Sequence, residues 1–487
     1  MRILKNTFIA FLAFSLTTSC FEDQDDNAIS ASEISDFVWK GMNAFYLYKD
    51  EIPDLANDRF SSNEEYASYL NSFSAPEELF ESLIYQRQTV DRFSVIVSDY
   101  IALEQLLSGV FKSNGLEYNF YYVPGSTTNA FGIIRLVLNN SVASGMNLER
   151  GQIFTSINGT SLTADNLNSL LNQDSYTLEF ADYDDNGTPT TDDDTITPNG
   201  ESVTLTKQPY TENPVHIAEV IPVDGVNVGY LMYNAFTFNF ANELNQAFAT
   251  FQANNVQELV LDLRYNGGGS VAVASYLGSM ITGQFNGQVF SKLIYNSDLQ
   301  AANTNYNFTS TIDGGASINS LNLDRVYILT TDRTASASEM MINSLKEYID
   351  VIQIGDTTVG KSQASITIYD SPDFSRDNVN PNHTYALQPL VAISVNKNDG
   401  QVPSTGIEPQ PTFALMETPR NFGILGDINE PLLARAIQHI SGNGRMSEPN
   451  LMEFNAIHAK IDAKLLENEM YIDSEMSPSS FRSQLNN

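Results

Sequence analysis

Residues 326–363 of the chain read VYILTTDRTASASEMMINSLKEYIDVIQIGDTTVGKSQ. The first residues of this stretch are apolar and β-branched, which predicts a strand, and the small residues at 334–338 predict a tight turn. Met341, Leu345 and Ile349 recur every four residues, which predicts a helix, and a second β-rich run follows. The order strand, turn, helix, strand predicts an α/β layer with a mixed sheet.

The turn before the helix is the first candidate for chemistry. A strand that turns sharply into a helix presents a small polar side chain beside the free N–H groups of the helix N-terminus. A serine nucleophile needs this arrangement, because those groups lie where an oxyanion forms. The string Ser336-Ala-Ser-Glu339 also fits a capping box, in which Ser336 only caps the helix. The turn alone leaves both interpretations open.

The string TASASE at 334–339, followed by a helix and by Gly360-Lys361, resembles the active-site region of the C-terminal processing (tail-specific) serine peptidases, the family that includes the tricorn core. In that family a lysine 25 residues after the nucleophile is the general base. Lys361 stands 25 residues after Ser336, so the resemblance implies that Ser336, rather than Ser338, is the nucleophile and Lys361 the base.

Three further segments resemble the same family, in the family's order: VLDLRYNGGG at 260–269, STGIEP at 404–409 and LGDINEPLL at 425–433. The first resembles the turn whose glycine backbone helps form the oxyanion hole. The resemblance therefore implies that the backbone N–H groups of Gly268 and Ala337 stabilise the oxyanion.

The residue that orients the lysine departs from the family's pattern. Many members carry a glutamine four residues after the lysine, where this chain has Ser365, and Gln363 lies two residues after it. Ser365, Gln363 or another group orients Lys361, or catalysis is weaker. A general base must be a neutral amine, and burial favours that form. The residues at 357–360 carry no acid, which fits a neutral amine.

Histidines do not form an obvious alternative site. The four of them have no paired spacing, so they predict neither a zinc site nor a Ser-His-Asp set. A distant histidine nevertheless stays open as the base. They are His216, His383, His439 and His458.

Composition and charge limit the function classes. The 487 residues carry 25 basic and 59 acidic side chains, a formal net charge of −34, which argues against nucleic acid and anionic membrane surfaces as partners. The predicted fold is a multi-domain α/β chain. Its parts are a lipoprotein signal peptide at 1–20, an acidic tether at 21–29, a helical N-terminal domain at 30–94, a PDZ-like β-rich domain at 95–208, an α/β peptidase core with a mixed sheet at 209–442, and a C-terminal tail at 443–487 with a helical pattern at 451–471 and no assigned function.

The first 20 residues are typical of a secretory signal, because a short apolar run follows Arg2 and Lys5. The run is too short to span a bilayer and ends near Cys20, the only cysteine of the chain. It resembles a bacterial lipoprotein signal, which implies lipidation of Cys20 and an exported protein on the periplasmic or cell-surface side of the outer membrane, in contact with it through the lipid alone. The alternative is an ordinary signal peptide with an incidental cysteine.

Residues 95–208 resemble the PDZ domains of the same family, most clearly at 132–137 (GIIRLV) and 148–159 (LERGQIFTSING). The resemblance implies a groove along 132–137 that binds substrate C-termini as an added strand. A spacer with an unused groove is the alternative.

An acidic insertion lies within this domain. The spacing D-x-D-x-N-G at 182–187 matches the start of a calcium loop, so Asp182, Asp184, Asn186 and Asp193 are candidate calcium ligands. Strands rather than helices flank it, and a solvated hairpin loop is the alternative.

The resemblance implies a serine endopeptidase with a Ser-Lys dyad that hydrolyses exported or extracellular polypeptides with exposed C-termini and requires no cofactor. The alternative is a catalytically weak or inactive homologue that acts as a cell-surface peptide-binding lipoprotein. The sequence specifies neither the substrate nor the oligomeric state.

Overall fold

The computed structural model describes residues 31–442, 454–457 and 468–473. Its N-terminal region is helical, as predicted, with α1 (Ala31–Phe45), α2 (Asn63–Leu70) and α3 (Pro76–Ser82). Ser62 caps α2 by accepting from the N–H of Glu65, and Pro76 opens α3. The buried apolar residues of these helices belong to the same hydrophobic cluster as those of the peptidase core, so the two regions share one core.

The next two elements, β1 (Val95–Val97) and α4 (Tyr100–Leu107), lie on the peptidase core. The β-rich domain (residues 110–211) then contains an antiparallel sheet in the order β3-β4-β5-β7-β8. Its elements are β2 (Val110–Ser113), β3 (Leu116–Tyr122), β4 (Ala130–Val137), β5 (Ile153–Ile157), β6 (Thr160–Ser161), α5 (Leu167–Leu171), β7 (Ser175–Asp184), β8 (Thr195–Thr206) and β9 (Gln208–Thr211).

The strand predicted to form a peptide groove, 132–137, is not at an edge of this sheet. It lies inside β4, which pairs with β3 along its length and with β5 at Gly132 and Ile133. Its side chains are almost all buried because the strand is central. The prediction that 132–137 binds an added strand is therefore wrong, because Gly132 and Ile133 are already paired on both sides.

The peptidase core follows, and its main sheet is mixed, as predicted. The strand order is β10-β11-β12-β16-β17, with an antiparallel first pair and parallel pairs after it. Its elements are β10 (Val215–Val223), β11 (Val226–Tyr233), α6 (Ala241–Ala253), β12 (Glu258–Asp262), β13 (Gly269–Ser270), α7 (Val271–Thr282), β14 (Val289–Tyr295), β15 (Thr304–Asn307), β16 (Arg325–Thr330), α8 (Ala337–Leu345), β17 (Asp350–Gly355), β18 (Gln363–Ser365), β19 (Ile368–Tyr369), β20 (Ala386–Gln388), β21 (Leu390–Asn396), α9 (Pro431–Ile440) and β22 (Met470–Tyr471).

A second sheet has the order β13-β22-β18-β21-β14-β15. Its strand β22 comes from the C-terminal tail and lies between β13 and β18. The helical pattern predicted at 451–471 is wrong for the described parts of that range, because 470–471 form this strand and 454–457 are not helical. In residues 31–442 and the two short tail segments, no helix is both long and apolar enough to cross a membrane.

Candidate active site

Two turns meet at the carboxyl ends of the neighbouring parallel strands β12 and β16. The hydroxyl of Thr334 donates to the carbonyl of Leu263 at 2.9 Å, and the N–H of Ala335 donates to the carbonyl of Asn266 at 3.1 Å. The hydroxyl of Ser338 donates to the same carbonyl at 3.0 Å. These bonds fasten the turn that carries Ser336 to the glycine turn.

Ser336 lies between β16 and α8, one residue before the helix begins. Its φ is 65°, which is uncommon for a residue other than glycine and is found where the surrounding structure holds a strained turn. The side chain is 0% exposed and faces the N–H of Glu339 in a capping box, but its Oγ makes no hydrogen bond of normal geometry in the described part of the chain. The hydroxyl oxygen is therefore left for another partner.

Glu339 joins the serine turn to the lysine loop. Its carboxylate accepts from the N–H of Ser336 at 2.7 Å, from the N–H of Gly360 at 2.7 Å and from the N–H of Lys361 at 2.9 Å. It also accepts from the hydroxyl of Thr358. Burial raises the pKa of Glu339, and these donors oppose the rise. The residue predicted to complete a capping box thus holds both candidate catalytic residues by their backbones.

Lys361 is 0% exposed, and its Nζ donates to Oε2 of Glu469 at 2.8 Å. The amine also lies 4.5 Å from the centre of the Phe93 ring. Burial lowers the pKa of Lys361, and the carboxylate of Glu469 opposes that fall. Residues 357–360 carry no acid, as the sequence shows, but an acid from elsewhere faces this amine, because Glu469 approaches it from the C-terminal tail.

Neither sequence candidate for the orienting role bonds the amine directly. The hydroxyl of Ser365 donates to Glu469 and accepts from the side-chain amide of Gln388 at 2.8 Å. The side-chain amide of Gln363 donates to the hydroxyl of Tyr48 at 3.0 Å. The group bonded to Lys361 is the carboxylate of Glu469, so the open alternative of another orienting group is the one that the geometry fits.

Gly268 packs directly against the serine. Its φ is +119°, and a Cβ added there would lie 2.7 Å from Cβ of Ser336 and 2.7 Å from the carbonyl oxygen of Glu469. The N–H of Gly268 donates to the side chain of Asn266 at 2.9 Å in this state. Ala337 is the first residue of α8, where backbone N–H groups lack partners within the helix. The oxyanion role of Gly268 and Ala337 stays a prediction.

A buried charge network connects two of the segments that resemble the family, 260–269 and 425–433. Arg264, which is 0% exposed, donates to Asp262, Glu417 and Glu430. Glu430 also accepts from the N–H of Leu433 and so caps α9. This arginine therefore joins 260–269 to 425–433 and fixes the position of the glycine turn.

The segment 404–409 supports the lysine loop. The N–H of Thr358 donates to the carbonyl of Ile407 at 3.2 Å, and the N–H of Ile407 donates to the hydroxyl of Thr358 at 2.8 Å. Gly360 has a φ of +86°, and a Cβ there would lie 2.3 Å from the carbonyl oxygen of Ser404. The backbone just before Lys361 therefore requires glycine.

A cavity of about 460 Å³ opens between the β-rich domain and the core. It reaches the glycine turn at 267–269 and is also lined by Glu469 and Tyr471 of the tail and by Tyr118 of the β-rich domain. A bound polypeptide in an extended conformation would lie next to Gly268, which lines this cavity and packs on Ser336.

The tail also pairs with the β-rich domain. At the outer edge of β3, the N–H of Tyr122 donates to the carbonyl of Asn455 at 2.9 Å, and the N–H of Ile457 donates to the carbonyl of Phe120 at 2.8 Å. An antiparallel bridge joins Tyr121 to Ala456. Residues 454–457 therefore lie on β3 as an added strand.

The four candidate calcium ligands use their polar groups within the hairpin of β7 and β8. Asp184 accepts from the N–H of Asn186, whose side chain donates to the carbonyl of Asp193. Asp193 accepts from a threonine hydroxyl, and Asp182 accepts from Asn199. In the part of the chain that the structure describes, no three His, Cys, Asp or Glu residues are grouped so as to hold a metal ion.

The remaining candidates from the sequence are Cys20 and the histidines. Cys20 lies outside the described residues. Among the histidines that are described, His383 bonds Asp370 and His439 bonds Tyr327. Because Oγ of Ser336 has no partner, none of the described histidines is bonded to it.

Family models match the chain in two places, the peptidase S41 N-terminal domain over residues 33–95 and peptidase family S41 over residues 227–409. The chain belongs to peptidase family S41. The second match includes the serine turn, the lysine loop and the glycine turn.

Relatives support the assignment. A Bacteroides fragilis NCTC 9343 protein described as an S41 protease has a similar crystal structure, with a TM-score of 0.67 and 28% identity over 84% of this chain and 97% of that one. Carboxyl-terminal-processing peptidase 2, chloroplastic, of Arabidopsis thaliana is 28% identical over 171 residues, which are 34% of this chain and 31% of the relative. The carboxyl-terminal-processing protease of Picosynechococcus sp. is 24% identical over 172 residues, 35% of this chain and 38% of the relative. The matches thus span about a third of these curated relatives.

Proposed function

We propose that this S41 protein is a serine endopeptidase in which Ser336 attacks the peptide carbonyl and Lys361 accepts its proton. The observation that carries the proposal is the shared carboxylate of Glu339, which binds the backbone N–H groups of both residues. It makes the strained serine turn and the buried lysine one unit. Family membership supports the same roles.

The reaction needs a neutral amine at Lys361. The amine takes the proton of Ser336 as Oγ bonds the carbonyl carbon, and the N–H groups of Gly268 and Ala337 stabilise the oxyanion. Lys361 then gives that proton to the leaving nitrogen as the C–N bond breaks, and water hydrolyses the acyl-enzyme. In the present arrangement the amine bonds Glu469 and Oγ of Ser336 has no partner, so this is a resting state. Catalysis requires the amine to turn towards Ser336.

The β-rich domain would act as a PDZ domain that engages exported or extracellular polypeptides near their C-termini. An extended segment binds such a domain by adding a strand to a sheet edge, and the outer edge of β3 offers that geometry. Residues 454–457 of this chain occupy it, so a substrate segment would compete with them. A labelled C-terminal peptide should therefore bind more tightly when Ile457→Asp weakens the internal strand, and equal affinity would count against this role.

We also propose that the protein is anchored at the outer membrane through a lipid on Cys20, as the signal-like residues 1–20 indicate. Cys20→Ala should release the protein from membranes or block its maturation. If labelled fatty acid never enters the wild type, the anchor is absent.

A fluorophosphonate, which reacts with activated serines, tests the nucleophile without a peptide substrate. Mass spectrometry should find the adduct on Ser336, Ser336→Ala should stay unlabelled, and Ser338→Ala should still be labelled. Ser338→Ala is the matched control, since it makes the same serine-to-alanine change in the same turn. The hydroxyl of Ser338 donates to the carbonyl of Asn266 at 3.0 Å, and Ser338 is not the proposed nucleophile. A wild type unlabelled at every pH would contradict the proposal.

The second candidate is a catalytically weak homologue that binds peptides at the cell surface. It is favoured by the same resting arrangement, in which Lys361 bonds an acid and Oγ of Ser336 has no hydrogen-bond partner. It predicts peptide binding with neither fluorophosphonate labelling nor casein hydrolysis.

A further inference from the structure

The C-terminal tail carries an acid into the centre of the site. The side chain of Glu469 is 4% exposed, and its two oxygens accept from Nζ of Lys361 and from the hydroxyl of Ser365. Strand β22 begins at the next residue, Met470, which is fully buried. The N–H of Ile472 donates to the carbonyl of Ser365 at 3.0 Å. The backbone of the tail therefore fixes the carboxylate beside the amine.

We propose that Glu469 is a positioning residue that sets the proton affinity of Lys361, and with it the pH at which Ser336 is activated. The inference rests on the proposed function, since it concerns the base of that reaction. It assigns a role to a tail segment for which the sequence indicated none.

The position of Ser365 explains why an acid is present. The resemblance described above implies a glutamine here in many members, whose neutral amide would orient the lysine. The hydroxyl of Ser365 does not bond the amine and instead donates to Glu469. A carboxyl group thus takes the place of a neutral amide. Burial raises the pKa of Glu469, and the Lys361 amine and the Ser365 hydroxyl oppose that rise, so the pair with Lys361 favours the carboxylate. A negative charge at 2.8 Å favours the ammonium form, which cannot accept the proton of Ser336.

Other charged groups face Lys361 from the elements packed around it. Asp91 precedes β1, and Glu339 is on α8; both negative charges also favour the ammonium form. Glu339 bonds the backbone N–H of Lys361 rather than its amine. Asp91 accepts from the hydroxyl of Tyr46 and from Ser94. The contact with Nζ is made by Glu469, so its charge has the strongest effect.

The experiment measures the titration of Lys361 directly. The protein is labelled with ¹⁵N-lysine, and the Lys361 amine signal is assigned as the one lost in Lys361→Arg. Titrations are compared for the wild type and Glu469→Gln, which keeps the shape and an acceptor oxygen but removes the charge. We expect the pKa of Lys361 to fall by about one to three pH units in the variant, the range for loss of a close opposite charge.

Asp473→Asn is the matched control. It makes the same acid-to-amide change near the end of the same tail segment, where the carboxylate accepts from the hydroxyl of Ser270 at 2.6 Å. Here the pKa of Lys361 should stay at its wild-type value. The pH at which fluorophosphonate labelling of Ser336 rises should fall together with the pKa of Lys361 in Glu469→Gln. It should not change in Asp473→Asn.

The outcomes separate this inference from the proposed function. If Lys361 titrates at the wild-type pH in folded Glu469→Gln, Glu469 is structural and the inference is wrong. If that variant does not fold, Glu469→Ala removes the same charge, and the same fall is expected of it. A wild type that is never labelled at Ser336 contradicts the proposed function, whereas the Lys361 titration still decides the role of Glu469.

Discussion

The amine of Lys361 donates to the carboxylate of Glu469, 108 residues further along the chain, over 2.8 Å. Both side chains are buried, at 0% and 4% exposure. Removing one partner of a buried ion pair leaves the other charge without compensation, which is strongly destabilising. This contact makes the C-terminal tail part of the site, and the proposed base is bonded to an acid in the described arrangement.

The tight contact at Gly268 predicts that no side chain is tolerated there. Gly268→Ala should reduce fluorophosphonate labelling of Ser336 at least about tenfold and lower the melting temperature, because strain of roughly 1–3 kcal/mol and a clash with Ser336 act together. Gly225→Ala is the control, since Gly225 also has a positive φ (+88°) but no neighbour within 4 Å. Labelling should persist in the control. Unchanged labelling in Gly268→Ala would contradict the described packing.

The charge network around Arg264 predicts a specific acid sensitivity. Burial alone would raise the pKa of Glu417, but Arg150 and Arg264 outweigh it and lower the pKa to about 2. A carboxyl group whose pKa is depressed on folding stabilises the fold above its unfolded pKa, and this contribution is lost as the pH falls from about 4.5 to about 2. Glu417→Gln should therefore flatten the loss of stability in that window.

The same variant leaves two buried arginines short of a partner, so urea unfolding at pH 7 should show a loss of roughly 3–5 kcal/mol. Asp399→Asn is the control, because Asp399 is 76% exposed and pairs with Lys292 at the surface. Its effect should stay below about 1 kcal/mol. Parallel stability curves for the wild type and Glu417→Gln between pH 2 and 5 would show that Glu417 does not carry this sensitivity.

The acidic hairpin is expected to be held by an arginine rather than by calcium. Arg420 pairs with Asp194 and donates to the carbonyl of Thr188 at 2.7 Å. We expect the same melting temperature with calcium and with a chelator, and a lower one for Arg420→Ala. A rise with calcium that Asp184→Ala removes would instead establish the calcium site, because a ligand that binds the folded state raises its stability.

Local patterns could be read from the sequence, whereas the distant contact could not. The strand, turn and helix around Ser336 follow from apolar spacing and small residues over a few positions, and the structure confirms them. The contact of Glu469 with Lys361 was not predicted, because β22 has two residues, too few for any periodicity, and because the sequence pattern of the tail favoured a helix. Its one signal was indirect: Ser365 stands where many family members have a glutamine, which left another orienting group among the open alternatives.

Two further differences arise from tertiary context. The residues of β4 could be recognised from the sequence, but the order of the strands in the sheet decides which strand lies at an edge. Residues 454–457 pair with β3 and not with β4. Glu339 was predicted only as a cap. The structure adds the bonds to Gly360 and Lys361, which come from a loop more than 20 residues away. Pairings of this kind depend on the folded chain and leave no local pattern.

Hydrolysis of unfolded casein by Lys361→Arg, measured as a function of pH, decides whether Lys361 is the base. Wild-type activity should rise with pH as the amine loses its proton, with an apparent pKa below that of free lysine. A guanidinium stays protonated and cannot act as a base, so Lys361→Arg should lose about 10²-fold or more at every pH. Lys361→Ala and Ser336→Ala should match each other, and the double variant should be no worse. A Lys361→Arg protein that cleaves casein at a substantial rate would show that the base is another group.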